Sequence, residues 1–140
     1  MDSLFPRVLI FLYCDLLFCI FFDTIAAMKR VKAVFYESGS GNEPVREWLL
    51  GLDRKDRRII GEDIATVEFG YPIGMPVCRS LGNGLYEVRS DISDGKIARV
   101  IFIVKRGYMV LLHGFIKKTQ KTPKQDIDLA SKRARELGEK

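Results

Sequence analysis

Leu111-Leu-His-Gly-Phe-Ile-Lys-Lys-Thr-Gln-Lys-Thr-Pro123 runs an apolar stretch into three lysines and then into a helix start. It contains the only histidine of the chain, His113. An imidazole exchanges protons near neutral pH, and lysines supply fixed positive charge. Chemistry on a phosphodiester needs that neighbourhood. Metal-free cleavage of RNA uses the 2′-hydroxyl as nucleophile. It requires a base for that hydroxyl, a proton for the leaving 5′-oxygen, and cations for the charge that builds on phosphorus.

Arg89 and Arg99 are the candidate phosphate clamps, because a guanidinium matches phosphate oxygens bidentately and stays charged. Both interrupt otherwise apolar strands; the plain alternative is ordinary surface arginine. Whether they cooperate depends on the turn at Asp94-Gly95. A two-residue loop pairs Arg89 with Val100 and sends Arg99 to the other face. A three-residue loop with a glycine bulge pairs Arg89 with Arg99 on one face. Lys117 and Lys118 leave the last strand side by side as phosphate ligands or proton donors, and Lys121 continues the cationic run. His113 is a candidate acid–base group, but it shares strand parity with Met109, Leu111 and Phe115, which favours a hydrogen-bonded core histidine. Glu87, the acid nearest Arg89 in its strand, is either a base or that arginine's ion-pair partner. Tyr86 and Phe115 are candidate base-stacking rings, weighed against the usual place of strand aromatics in a core.

The elements that position these residues follow from patterning. Val31–Glu37 is β-branched and aromatic, a strand ended by Ser38-Gly-Ser-Gly-Asn42. Asn42 is placed to cap a helix with Glu43 and Pro44 in its first turn, running through Trp48 to Leu50. Asp53 caps a second helix whose Ile60, Ile64 and Val67 form one apolar stripe before Gly70, Pro72, Gly74 and Pro76 end it. Leu85–Ser90, Ala98–Lys105 and Tyr108–Phe115 read as three strands of an antiparallel meander, punctuated by Asp94-Gly95 and Arg106-Gly107. Thr122-Pro-Lys-Gln125 reads as a capping box opening a helix with Ile127, Ala130, Ala134 and Leu137 on its apolar face. The fold class is α+β, a small antiparallel sheet with helices packed on it, in the order β-α-α-β-β-β-α.

Composition bounds the function. The chain has 140 residues, 47% hydrophobic and 29% charged, enough for one domain with a modest core. The net charge of +5 is uneven: residues 1–27 hold Asp2, Asp15 and Asp23 against Arg7, so the body is more basic than the whole. A basic excess on a small domain favours polyanionic partners and salt-sensitive binding. Cys14, Cys19 and Cys78 have no metal-ligand spacing, so no metal site and no cofactor is expected, and the thiols fit a reducing cytoplasm. The run Val8–Phe22 is strongly apolar, but Asp15 at mid-span and a length below about 20 residues count against a membrane helix. Weak n-region charge counts against a signal peptide. The expectation is an extended gene start over residues 1–27, a domain over 28–140 opened by Met28, and no membrane association.

Leu81-Gly-Asn-Gly-Leu-Tyr-Glu-Val-Arg89, Ala98-Arg-Val-Ile-Phe102 and the block from Leu111 to Pro123, in that order, resemble the HigB branch of the RelE/ParE toxin superfamily, which includes phage-derived relatives. The resemblance spans about Val31 to Leu137 and is most specific in the last block. It implies the toxin of a type II toxin–antitoxin pair. Such a toxin cleaves messenger RNA on the ribosome without a metal, and a helix-turn-helix antitoxin of the HigA type neutralises it. Operator DNA would be bound only through the complex with that antitoxin. Catalytic residues vary between branches, and the gyrase-directed branch shares the fold without the activity. The rival readings are therefore a non-enzymatic toxin that binds a protein target and a small protein tethered by residues 4–25.

Overall fold

The computed structural model describes residues 29–117 and 121–138. The expectations for residues 1–27 and for a start at Met28 lie outside the described residues. Among the described residues no helix is long and apolar enough to cross a membrane.

Among the described residues five strands form one sheet: β1 (Lys32–Phe35), β2 (Cys78–Gly82), β3 (Leu85–Asp91), β4 (Ile97–Lys105) and β5 (Tyr108–Lys117), in the spatial order β1-β5-β4-β3-β2. Among the described residues three α-helices accompany them: α1 (Pro44–Leu50) and α2 (Arg54–Gly70) between β1 and β2, and α3 (Lys124–Gly138) after β5. The α+β class is as expected, with two differences. The sheet is mixed, because β1 pairs with β5 in parallel; the chain leaves β1 through two helices and returns to form β2 at the opposite edge. A strand not anticipated, β2, pairs antiparallel with β3 across Asn83-Gly84. Both turn residues have positive φ, 54° and 79°, the backbone that a two-residue hairpin demands and that Asn-Gly supplies.

The two faces of the sheet hold separate clusters. Val31, Ala33, Val88, Val100, Phe102, Met109 and Leu111 pack against Val45 and Leu49 of α1 and Ile60, Ile64 and Val67 of α2. Leu85, Ile101, Val110 and Leu112, with Tyr36, pack against Ala130 of α3. The anticipated caps take other forms. Glu43 rather than Asn42 occupies the cap of α1, and neither it nor Asp53 of α2 makes a side-chain cap bond. The Thr122 hydroxyl, expected to cap α3, is engaged by Glu87 and Arg99.

Two local devices fix the strands. Gly114 of β5 lies beneath the Trp48 ring of α1; a Cβ there would stand 2.3 Å from the ring carbons. At the β1 edge the buried Glu68 of α2 accepts the Ala33 amide at 2.8 Å and pairs with Lys29 at 3.0 Å. An edge amide that has no strand neighbour is thereby satisfied from a helix.

Candidate functional site

The β3–β4 turn decides the arginine geometry. Ile92 donates its amide to the Lys96 carbonyl, enclosing Ser93, Asp94 and Gly95, of which Asp94 and Gly95 have positive φ. The three-residue register follows, and Arg89 stands directly opposite Arg99. Cross-strand partners share a face, so both arginine side chains leave their strands on the same face as Glu87 and Ile101. Phe115 of β5 lies opposite Arg99 on the same rung. The same-face rung on one side of it carries Arg79, Glu87, Ile101 and His113, and the rung on its other side carries Asp91, Ile97 and Lys117.

A β-bulge in β5 brings His113 into this set. The register of β4 and β5 shifts between Ile101 and Phe102, leaving Leu112 as the extra residue. Alternation is reset there: Met109 and Leu111 point toward α1 and α2, whereas His113 pairs with Ile101 on the α3 face. The expectation that His113 shares the core side of Met109 and Leu111 is corrected by this one residue. Its Nε2 lies 2.7 Å from Asp126 Oδ1 in the first turn of α3, and its ring stacks on Phe115 at 5.4 Å between centroids. Both members of the pair keep some exposure, 17% for His113 and 15% for Asp126.

Below the rim the polar groups are dry. Arg99 and Glu87 are fully buried, and Thr122 nearly so. The Arg99 Nη1 donates to Thr122 Oγ1 at 2.9 Å, and that hydroxyl donates to Glu87 Oε2 at 2.5 Å. One hydroxyl thus joins a buried cation to a buried anion. Desolvation pulls the Arg99 pKa down; Glu87 opposes this, while Arg89 and Arg79 add to it. In the sheet Arg79 stands opposite Glu87, with Arg89 and Arg99 on the next rung. Arg99 is accordingly not the solvent-facing clamp expected of it, whereas Arg89 is half-buried and borders a hollow of about 280 Å³ shared with Asp63, Val77 and Asp91.

The remaining expected residues divide. Lys117 is half-buried at the end of β5, and Lys121 is exposed before α3; Lys118 lies outside the described residues. Tyr86 is on the opposite face, stacked on Phe102 at 5.6 Å and edge-on to Tyr71 at 6.0 Å. Its odd position relative to Glu87 and Arg89 puts it among the core aromatics and away from the arginines. Glu87 accepts the Thr122 hydroxyl. Three neighbours were not anticipated: Arg79, Thr122 and Asp126. The Asn83-Gly84 dipeptide was the available signal for β2 and hence for Arg79. Nothing in the spacing of Asp126 marks it. Among the described residues no group of three or more His, Cys, Asp or Glu side chains could hold a metal ion.

This geometry lies almost wholly within residues 47–135, the span matched by the family model of the phage-derived Gp49-like proteins (DUF891). The chain belongs to the Gp49-like family. Gp49-like proteins are RelE/HigB-like toxins associated with toxin–antitoxin systems, and the small α+β fold described above accords with that. An antitoxin is the partner such a family suggests. No curated protein matches the chain.

Proposed function

We propose that this Gp49-like protein is an endoribonuclease toxin of the HigB kind, cutting messenger RNA on translating ribosomes in the cytoplasm and held in check by a helix-turn-helix antitoxin of the HigA type. Operator DNA is bound only through that antitoxin. The reaction needs no metal: the 2′-hydroxyl attacks the adjacent phosphorus and the 5′-oxygen departs. The observation that carries the reading is the rung Arg89–Arg99–Phe115 lying beside the rung that holds His113, all on one face.

Arg89, at the rim, grips the phosphate, and Arg99 behind it supplies positive field from a dry site, where charge acts more strongly than in water. His113 takes the proton of the attacking hydroxyl. Phe115 offers a ring for a base, and Lys117, Lys118 and Lys121 hold the backbone beyond the scissile bond. Glu87, sealed from solvent, acts through Thr122 and Arg99 and does not reach the substrate.

The test is cleavage of a reporter message in a translating extract with a chelator present. Wild-type protein should cut and Arg89→Ala should not. Intact message together with arrested DNA replication in cells would replace this reading with that of a toxin directed at a protein target such as gyrase.

A further inference from the structure

The contact between His113 and Asp126 has a consequence for which ring nitrogen can work. An ionised carboxylate only accepts hydrogen bonds, so the nitrogen facing it must carry the hydrogen. That nitrogen is Nε2, at 2.7 Å. In the neutral ring Nδ1 is then the bare nitrogen, the one able to take a proton. The ring cannot swivel freely, since Phe115 stacks on it with the planes 21° apart. Asp126 is equally fixed: its amide bonds the Pro123 carbonyl at the start of α3, and α3 is tied to β5 by Arg133 donating to the Leu112 carbonyl at 2.7 Å. The bulged residue that turns His113 onto this face is therefore itself held by the helix that carries its partner.

We infer that Asp126 is a positioning residue: it holds His113 in the Nε2–H tautomer and leaves Nδ1 as the proton acceptor. The inference rests on the reading of His113 as the base of RNA cleavage. In that step the 2′-O–H bond breaks with its proton passing to Nδ1, the 2′-O–P bond forms, and the P–O5′ bond breaks. The departing oxygen takes a proton from water, giving a 2′,3′-cyclic phosphate and a 5′-hydroxyl; the imidazolium later returns its proton to solvent. Among the described residues, Asp126 contacts the ring, Arg133 of α3 binds the carbonyl of the preceding residue, Glu87 shares its rung, and Arg99 and Lys117 lie on the next rungs of the sheet.

Because the chain has one histidine, the tautomer can be measured directly. Long-range ¹⁵N–¹H spectra of the full chain labelled at histidine, at a pH where the ring is neutral, should show Nε2 protonated and Nδ1 bare. Asp126→Ala should give a mixture of tautomers, and Asp126→Glu should restore part of the wild-type signature. In the cleavage assay Asp126→Ala should lower kcat by about 100-fold with KM little changed, the size of a misplaced general base. A wild-type spectrum with Nδ1 protonated overturns the inference without any variant, and so does an Asp126→Ala protein that cleaves at the wild-type rate. If His113→Ala cleaves normally, the base assignment beneath it fails instead, whatever the spectra show.

Discussion

On the side of α1 and α2, the strands present Val, Ala, Phe, Met and Leu to two helices, and the cluster they form is apolar throughout. On the side of α3, the same strands present Leu85, Ile103 and Val110 at one end and Glu87, Arg99 and His113 at the other. Alternation along a strand gives every residue one face or the other, so two environments are written into one set of strands. The α1/α2 face has one task, burial. The α3 face is divided: its helix covers the apolar half, and the half beyond the helix start holds buried charge. A dry guanidinium and a dry carboxylate cost several kcal/mol unless compensated. That cost is the physical ground on which the proposal for this end of the face rests.

The sharpest way to break this contrast is to compare substitutions that remove bulk with ones that remove charge. Phe102→Ala, at a fully buried position of the α1/α2 cluster, should lose about 3–5 kcal/mol of stability, and no partner change should restore it. Arg99→Met should lose a similar amount, about 3–5 kcal/mol, because it removes the buried cation that Thr122 links to the buried Glu87. Adding Glu87→Leu to Arg99→Met should recover most of that loss while leaving the protein non-toxic. Denaturant titration of the four proteins decides it. A double variant no more stable than Arg99→Met alone would mean that the two charges are not energetically linked.

The α1/α2 side also holds buried acids, Asp56 and Glu68 of α2, and Glu68 lies at its edge. Burial pushes the Glu68 carboxyl up to about 7, against the opposing pull of Lys29 and of the Ala33 amide. The folded protein therefore keeps a proton, between the ordinary glutamate value of 4.5 and about 7, that the unfolded chain has released. Stability should be fullest below that window and fall as pH rises through it, by up to about 3 kcal/mol. Glu68→Gln still offers an acceptor to the Ala33 amide and should flatten the curve. An unaltered curve in thermal melts from pH 4 to 8 would assign the dependence to other groups.

Most of the fold was legible, and the failures have specific causes. The apolar stripe Ile60, Ile64, Val67 gave α2, and Arg106-Gly107 gave the β4–β5 turn, where both residues have positive φ. Asn83-Gly84 carries the same signal, but the run before it, Cys78-Arg-Ser-Leu-Gly82, is too polar to read as a strand, because β2 is an edge that needs only one apolar contact row. The parallel pairing of β1 leaves no mark in local sequence at all. In the site, the arginine pairing was reducible to two registers, and only the turn geometry chose between them. His113 was misplaced because a bulge costs one residue and has no compositional signature here. Asp126 and Thr122 reach the site through the docking of α3, a tertiary fact.

A smaller effect concerns the seam between the α1/α2 face and the strand that bears the histidine. Gly114→Ala would set a methyl group against Trp48, so ring or strand must move, at about 1–3 kcal/mol. If β5 moves, His113 and Phe115 on either side of residue 114 move with it, and cleavage should fall along with stability. Trp48→Leu in the same chain makes room and should restore both. Recovery of stability without recovery of activity would place the damage in the strand rather than in the ring.

The smallest expected change in stability is also the most telling for function. Arg89 is half-buried at the rim, and its backbone amide, donated to the Val77 carbonyl at 2.8 Å, survives any side-chain substitution. Arg89→Ala should therefore shift stability by less than about 1 kcal/mol, while growth arrest on expression is lost. Arg89→Lys keeps the charge but not the fork and should keep only part of the toxicity. Set beside Arg99→Met, which should lose both stability and toxicity, the pair separates a cation that meets the substrate from one that shapes the site beneath it. Full toxicity in Arg89→Ala would move the phosphate contact to Arg79 or to the lysines after β5, and the rung Arg89–Arg99–Phe115 would no longer mark where RNA lies.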